Sequence, residues 1–311
     1  MTILKWLEGL RTPWLDEVVS LLTNLGDETI FMVLGMAIIW CVNKVWGFRF
    51  MLIGLVGTAI NQLLKAIFLV PRPWVLDPEF TIVESAREGA SGYSFPSGHT
   101  QSAVTQFGTL AVWLRRRWVT VACVAAIAVV AFSRMYLGVH TPADVGVSLV
   151  TGVLTVWGLT WLFQHGCAAC RKWIRAGAML LSLILLAYVL FAPVREANVP
   201  EFDAHGVKAA WQLVGATAGM LLAWWMDEKF IHFETGAVWW AQVCKVVIGL
   251  GLVVAVRSGL KPVMSALFGE AMFGHGIRYF LMTVVGGIVW PLTFRFWSRV
   301  GNKKMEAAEN L

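Results

Sequence analysis

Apolar stretches of bilayer-crossing length recur from about residue 28 to residue 297 with no long polar linker between them. A crossing helix needs about 20 mostly apolar residues. Such runs lie near 28–43, 50–70, 99–114, 118–137, 142–164, 176–193, 208–226, 237–256 and 279–297. Inside a bilayer the backbone must satisfy its own hydrogen bonds, and closed barrels lack runs of this length. The expectation is an all-α fold, a polytopic transmembrane helical bundle of about nine spans. Hydrophobic residues make up 58% of the chain and charged ones 14%, whereas soluble domains carry about 25% charged residues. The net charge of +6 comes from short basic clusters between the runs. That is how membrane-protein loops look, and it argues against nucleic acid as a partner.

Before the first span, Leu7, Leu10, Trp14, Val18 and Leu22 recur at helical spacing among Glu8, Arg11, Asp16 and Glu17. This predicts an amphipathic helix over 1–27 lying in the membrane interface. The stretch lacks a basic start and a small-residue cleavage site, so no cleaved signal peptide is expected. Gly215 and Gly219 form a small-x-x-x-small pair, expected to pack helices closely within the bundle. Lys245, inside a late span, is expected to snorkel or to be paired within the bundle. Cys167 and Cys170 read as reduced, idle thiols, because even with His165 a zinc ion would lack a fourth ligand.

Basic residues gather at Lys44 and Arg49, Arg115 to Arg117, Arg171 to Arg175, Lys229, and Arg295 to Lys304. All fall on one side of the predicted spans, which marks that side as cytoplasmic. The amino terminus is then outside and the carboxyl terminus inside. The chain divides into the interfacial helix (1–27), a region holding every chemical motif (28–165), and further helices of no assigned role (166–311).

Three polar clusters lie at the opposite face, where ionisable residues are costly and presumptively functional. Lys65 and Arg72 are seven residues apart, close to two helical turns, so both can point the same way. Pro96-Ser97-Gly98-His99 opens an apolar helix, and the amides of a helix amino terminus attract anions. In Ser133-Arg134-x5-His140-x3-Asp144 the imidazole and the carboxylate are four apart, near enough for one to orient the other. Three cations suit a phosphate dianion, and no carboxylate cluster resembles a magnesium site. Taken singly, each histidine reads as a helix-end residue and each arginine as an interfacial anchor; Glu79, Glu84 and Glu88 read as solvated loop charges. Three motifs converging on one face reverse that reading.

Lys-x6-Arg-Pro, Pro-Ser-Gly-His and Ser-Arg-x5-His-x3-Asp, in this order, resemble the signature of the type 2 phosphatidic acid phosphatase superfamily. The resemblance covers 65–144 and extends to about residue 165. It implies that Lys65, Arg72, Ser97, Gly98 and Arg134 hold the phosphate, and that His140 attacks phosphorus and is transiently phosphorylated. It further implies that Asp144 orients His140, and that His99 protonates the leaving oxygen and then helps activate water. No metal or cofactor is implied. The expected enzyme is an integral-membrane phosphatase in a bacterial plasma membrane, acting at the extracytoplasmic face on a lipid substrate. An isoprenoid (undecaprenyl) pyrophosphate is favoured, then phosphatidic acid-like lipids. The alternatives are hydrolysis of a soluble phosphomonoester, as by glucose 6-phosphatase, and a non-catalytic lipid-binding or transport protein.

Overall fold

The computed structural model describes residues 1–269 and 271–300, so Lys303 and Lys304 of the last basic cluster lie outside it. Among the described residues there is no strand. The helices are α1 (Thr2–Glu8), α2 (Pro13–Thr23), α3 (Glu28–Ala37), α4 (Lys44–Phe68), α5 (Pro73–Leu76), α6 (Gly98–Leu114), α7 (Arg117–Tyr136), α8 (Pro142–His165), α9 (Ala168–Phe191), α10 (Pro200–Met226), α11 (Trp239–Phe268), α12 (Phe273–Val284) and α13 (Phe294–Arg299).

Six helical segments are long and apolar enough to cross a membrane, or seven if the bent pair Pro13–Gly26 and Glu28–Val42 counts as one. The expected nine are therefore not confirmed: besides the run at 28–43, which counts only if the bent pair is one span, the runs at 99–114 and 208–226 are the ones missing. At 1.5 Å per residue, the 17 residues of α6 span about 26 Å, short of a hydrocarbon core of about 30 Å. That helix also buries Thr100, Gln101, Thr105, Gln106 and Thr109. In α10, Trp211, Gln212, Trp224 and Trp225 dilute the aliphatic content. The single helix expected over 1–27 is two, broken before Pro13, which takes the first turn of α2.

The chain forms two compact units, Met1–Phe31 with Ile53–Ala210, and Met32–Leu52 with Trp211–Leu311. In the first, α6 packs along α7 and α8. Gln101 Oε1 accepts from Thr151 Oγ1 at 2.7 Å, and Gln106 Nε2 donates to the Leu25 carbonyl at 2.6 Å. The buried polar residues of α6 thus act as interhelical ties. Leu4 of α1 is buried with Phe80 and Ile82, and Leu7 is buried as well, while Trp14 and Leu21 of α2 are exposed. Arg11 donates through Nε to the Tyr136 carbonyl at 3.0 Å and through Nη1 to that of Thr81 at 2.8 Å. The N-terminal helices are thereby fastened to the loop before α6 and to the end of α7. Glu84 pairs with Arg87 at 2.7 Å on the surface, as expected of solvated loop charges.

In the second unit, Lys245 is fully buried, donates to the Thr235 carbonyl at 3.0 Å and lies 4.2 Å from the Phe294 ring centroid. Of the two roles expected for it, pairing inside the bundle is the observed one. Gly215 and Gly219 of α10 pack on α12: a Cβ at Gly215 would collide with the Gly276 carbonyl, and one at Gly219 with Thr283 Oγ1. Backbone cannot yield as a side-chain end can, so Gly215→Ala is expected to destabilise this unit by about 1–3 kcal/mol. Thermal unfolding in detergent reads this directly; an unchanged melting temperature would refute the close packing.

Candidate active site

Lys65 sits in the last turn of α4. The helix ends at Phe68, and Leu69 takes a left-handed conformation at φ +50°, its N–H closing on the Lys65 carbonyl at 3.0 Å. Pro71 and Pro73 prevent the helix from resuming. Lys65 and Arg72 therefore do not share a helical register, contrary to expectation; the turn at Leu69 brings them together instead. Both converge on the segment 91–94. Lys65 Nζ donates to the carbonyls of Tyr93 and, at 3.3 Å, Ser94. Arg72 donates through Nε to the Gly92 carbonyl at 2.9 Å and through Nη2 to that of Ser91 at 3.1 Å.

The third motif owes its spacing to a capped helix end. After Tyr136 the chain reverses at Gly138, φ +81°, where a Cβ would also crowd Arg11 and Phe80. The N–H groups of Val139 and His140 then return to the Arg134 carbonyl, each at 3.2 Å. This sets His140 beside the residue six positions earlier. Thr141 next caps α8 in a capping box with Asp144: Asp144 N–H donates to Thr141 Oγ1 at 3.3 Å, and Thr141 N–H to Asp144 Oδ2 at 2.7 Å. The same Oδ2 lies 3.4 Å from His140 Nδ1. On the other side of the ring, Arg72 Nη1 is 2.9 Å from His140 Nε2 and also donates to the Val139 carbonyl at 3.0 Å. A guanidinium only donates. His140 Nε2 is thus the unprotonated nitrogen, and the ring proton belongs on Nδ1, facing the carboxylate. Burial first, then the charges of Arg72, Arg134 and Lys65, hold His140 well below the usual histidine value. The neutral ring with a bare Nε2 is the nucleophilic form.

Ser97 caps α6, its Oγ accepting from Thr100 Oγ1 at 3.0 Å and from Thr100 N–H at 3.4 Å. As an acceptor it keeps its own proton to donate. Gly98 and His99 follow in the first turn, where backbone N–H groups have no intrahelical partner. The Ser97 N–H donates to the Asp144 carbonyl at 3.1 Å, and Ser148 Oγ is 2.8 Å from the carbonyls of both Ser97 and Asp144. The second and third motifs are thereby locked together. His99 is half-buried near Gly89.

Lys65, Arg72, Ser97, Arg134, His140 and Asp144 are each at most 7% exposed. Arg134 donates through Nη1 to Thr23 Oγ1 at 3.0 Å, but its buried Nε and Nη2 have no hydrogen-bond partner. A buried guanidinium lacking part of its hydrogen bonding is costly, and an oxyanion would complete it.

Two family descriptions match the chain: "PAP2 superfamily" over residues 44–166, and "PAP2 superfamily phosphatase, transmembrane extension" over residues 211–301. The chain belongs to the PAP2 superfamily. Relatives include a "Probable sphingosine-1-phosphate phosphatase" of Dictyostelium discoideum, 25% identical over 72% of this chain and 56% of that one. The undecaprenyl-diphosphatase BcrC of Bacillus subtilis is 33% identical over 32% of this chain and 49% of its own. Phosphatidylglycerophosphatase B of Escherichia coli is 42% identical over 25% of this chain and 32% of its own. The matched region spans about half the length of the first two. No solved structure matches.

In this PAP2 superfamily member the structure brings six of the eight sequence-derived residues into one hydrogen-bonded cluster, with Gly98 and His99 beside it in the first turn of α6. Sequence reading missed Thr23, which holds Arg134; Ser94, which touches Asp144; and Asn61, buried with its Oδ1 unpartnered beside Gly98. Thr141-x-x-Asp144 is a capping-box pattern and was legible; the other three carry no pattern. Next to Lys65 lies a cavity of about 220 Å³ whose lining includes Gln62, Tyr93, Tyr188, Arg195, Asp203 and His205. The Tyr93 hydroxyl, pushed up to about 12 chiefly by burial, donates to Asp203 Oδ1 at 2.8 Å. Among the described residues no three His, Cys, Asp or Glu side chains are grouped to hold a metal ion, and the five cysteines are free.

Proposed function

We propose that this PAP2 superfamily member is a phosphatase acting on a lipid-linked phosphate or diphosphate through a phosphohistidine intermediate. The observation that carries this is the bare, arginine-flanked Nε2 of His140 beside an Arg134 guanidinium with two unsatisfied nitrogens. Arg72, Arg134, Lys65, the Ser97 hydroxyl and the first-turn amides of α6 would bind the phosphate oxygens. His140 Nε2 attacks phosphorus while the bond to the leaving oxygen breaks, and His99 gives that oxygen its proton. The nitrogen–phosphorus bond is then hydrolysed by a water that His99 deprotonates. Positioning and charge neutralisation supply most of the catalysis in such a transfer.

A lipid substrate is favoured because the site lies at the ends of helices long and apolar enough to cross a membrane, namely the end of α4, the end of α7 and the start of α8, with the start of the shorter α6 beside them. The basic cluster at 115–117 lies at the other end of α7, and that at 171–175 in the first turns of α9, which follows the other end of α8; both support an extracytoplasmic site. Among substrates an isoprenoid diphosphate comes first, in keeping with the name of the Bacillus relative, and phosphatidic acid-like monoesters second. Purified protein in detergent with excess chelator is expected to release phosphate from such lipids in preference to glucose 6-phosphate. Release only from the sugar phosphate would replace the lipid reading, and no release from any of them would leave a non-catalytic lipid binder.

A further inference from the structure

The geometry points to Ser94 as the positioning residue that sets the basicity of the His140–Asp144 pair. Ser94 is fully buried and its hydrogen bonds reach Lys65, His140 and Asp144. Its N–H donates to the Val70 carbonyl at 2.8 Å, between Lys65 and Arg72 in sequence, and its carbonyl accepts from Lys65 Nζ at 3.3 Å. Its hydroxyl donates to Asp144 Oδ2 at 2.6 Å and lies 3.4 Å from His140 Nδ1. Asp144 Oδ2 therefore faces three donors: Ser94 Oγ at 2.6 Å, Thr141 N–H at 2.7 Å and His140 Nδ1 at 3.4 Å. The two short bonds belong to serine and backbone, and the long one to the imidazole.

That ordering has a chemical effect. A carboxylate already stabilised by two short hydrogen bonds draws less strongly on a third proton. Ser94 thus shares Asp144's charge and keeps it from trapping His140 as an imidazolium. This matters because a protonated nucleophile cannot attack phosphorus. The other charged or titratable groups around His140 are Arg72, Arg134, Lys65 and His99, all of which disfavour its protonation. Among the described residues Asp144 is the opposing charge beside His140, so its hydrogen bonds are where the balance can be set. The role rests on His140 being the nucleophile, and its test is built to stand apart from turnover.

Ring-nitrogen shifts of ¹⁵N-histidine-labelled protein, followed from acid to alkaline pH, read His140 directly, its signals assigned by their loss in His140→Gln. In Ser94→Ala the His140 transition is expected about one pH unit above wild type, because the unshared carboxylate holds the imidazolium more firmly. The acid limb of kcat/KM should move up with it, so that kcat/KM on that limb falls about tenfold while the plateau above it is kept. Ser94→Cys, of similar shape but a weak donor, should behave like Ser94→Ala and covers the case in which alanine fails to fold. In an Asp144→Asn background the Ser94→Ala loss should shrink to less than about threefold, since the charge it acts on is gone. Coincident His140 curves in wild type and variant, two flat ones included, overturn the role. Wild type without turnover overturns the phosphatase reading alone, because the titration still decides on Ser94.

Discussion

His140→Ala is expected to lower phosphate release by about 10⁴-fold or more, as losing a covalent nucleophile does when no other group can take its place. Among the described residues the nearby hydroxyls have other work: Ser97 Oγ caps α6, accepting from Thr100 and leaving its proton for the phosphate, and the Ser94 hydroxyl donates to Asp144. The imidazole's polar contacts are to Arg72, Asp144 and Ser94, so the loss should be chemical rather than structural. Rapid acid-free quenching with a ³²P-labelled substrate should trap acid-labile, alkali-stable phosphate on the wild-type protein and none on the variant. Turnover in the variant within tenfold of wild type would exclude His140 as the attacking group.

Arg134→Leu is expected to move activity and stability in opposite directions. Losing a preorganised donor to a developing phosphoryl charge costs about 10²–10³ in rate. In the free protein, though, Arg134 is 1% exposed with two of its nitrogens unsatisfied. Replacing a poorly compensated buried charge with an apolar side chain is often neutral or stabilising by about 1–4 kcal/mol. The melting temperature of the ligand-free variant should therefore equal or exceed that of wild type. Inorganic phosphate or vanadate, which should raise the wild-type melting temperature by mass action, should leave the variant's unchanged. A variant that melts well below wild type and is still stabilised by phosphate would mean that Arg134 serves packing and not the anion.

The chemistry was far more legible in the sequence than the geometry that assembles it. Charged and histidine residues beside apolar runs announce themselves because burying them is costly, so Lys65, Arg72, His99, Arg134, His140 and Asp144 could all be singled out. How Lys65 and Arg72 meet was misread, because a left-handed Leu69 leaves no mark that a glycine would have left. Thr23 and Ser94 were invisible for a different reason: a single hydroxyl at the last residue of a helix or in an irregular loop sets up no pattern, and its partner is 111 residues away for Thr23 and 50 for Ser94. The count of about nine is not confirmed at α6 and α10, which are apolar enough in sequence to suggest crossings. The polar side chains of α6 turn inward to tie helices together, and its 17 residues are few for a crossing.

The Asp144 carboxylate belongs to two systems at once. One of its oxygens closes the capping box that starts α8 and also faces the ring of His140. A descendant that gave up the reaction would still be served by this aspartate, because its carboxylate is the reciprocal half of the capping box that Thr141 opens. Its persistence in a related sequence is therefore poor testimony of an active enzyme. The two histidines are the better witnesses: neither holds up a helix, and a chain with Asp144 but without His140 would be a fold that has outlived its reaction.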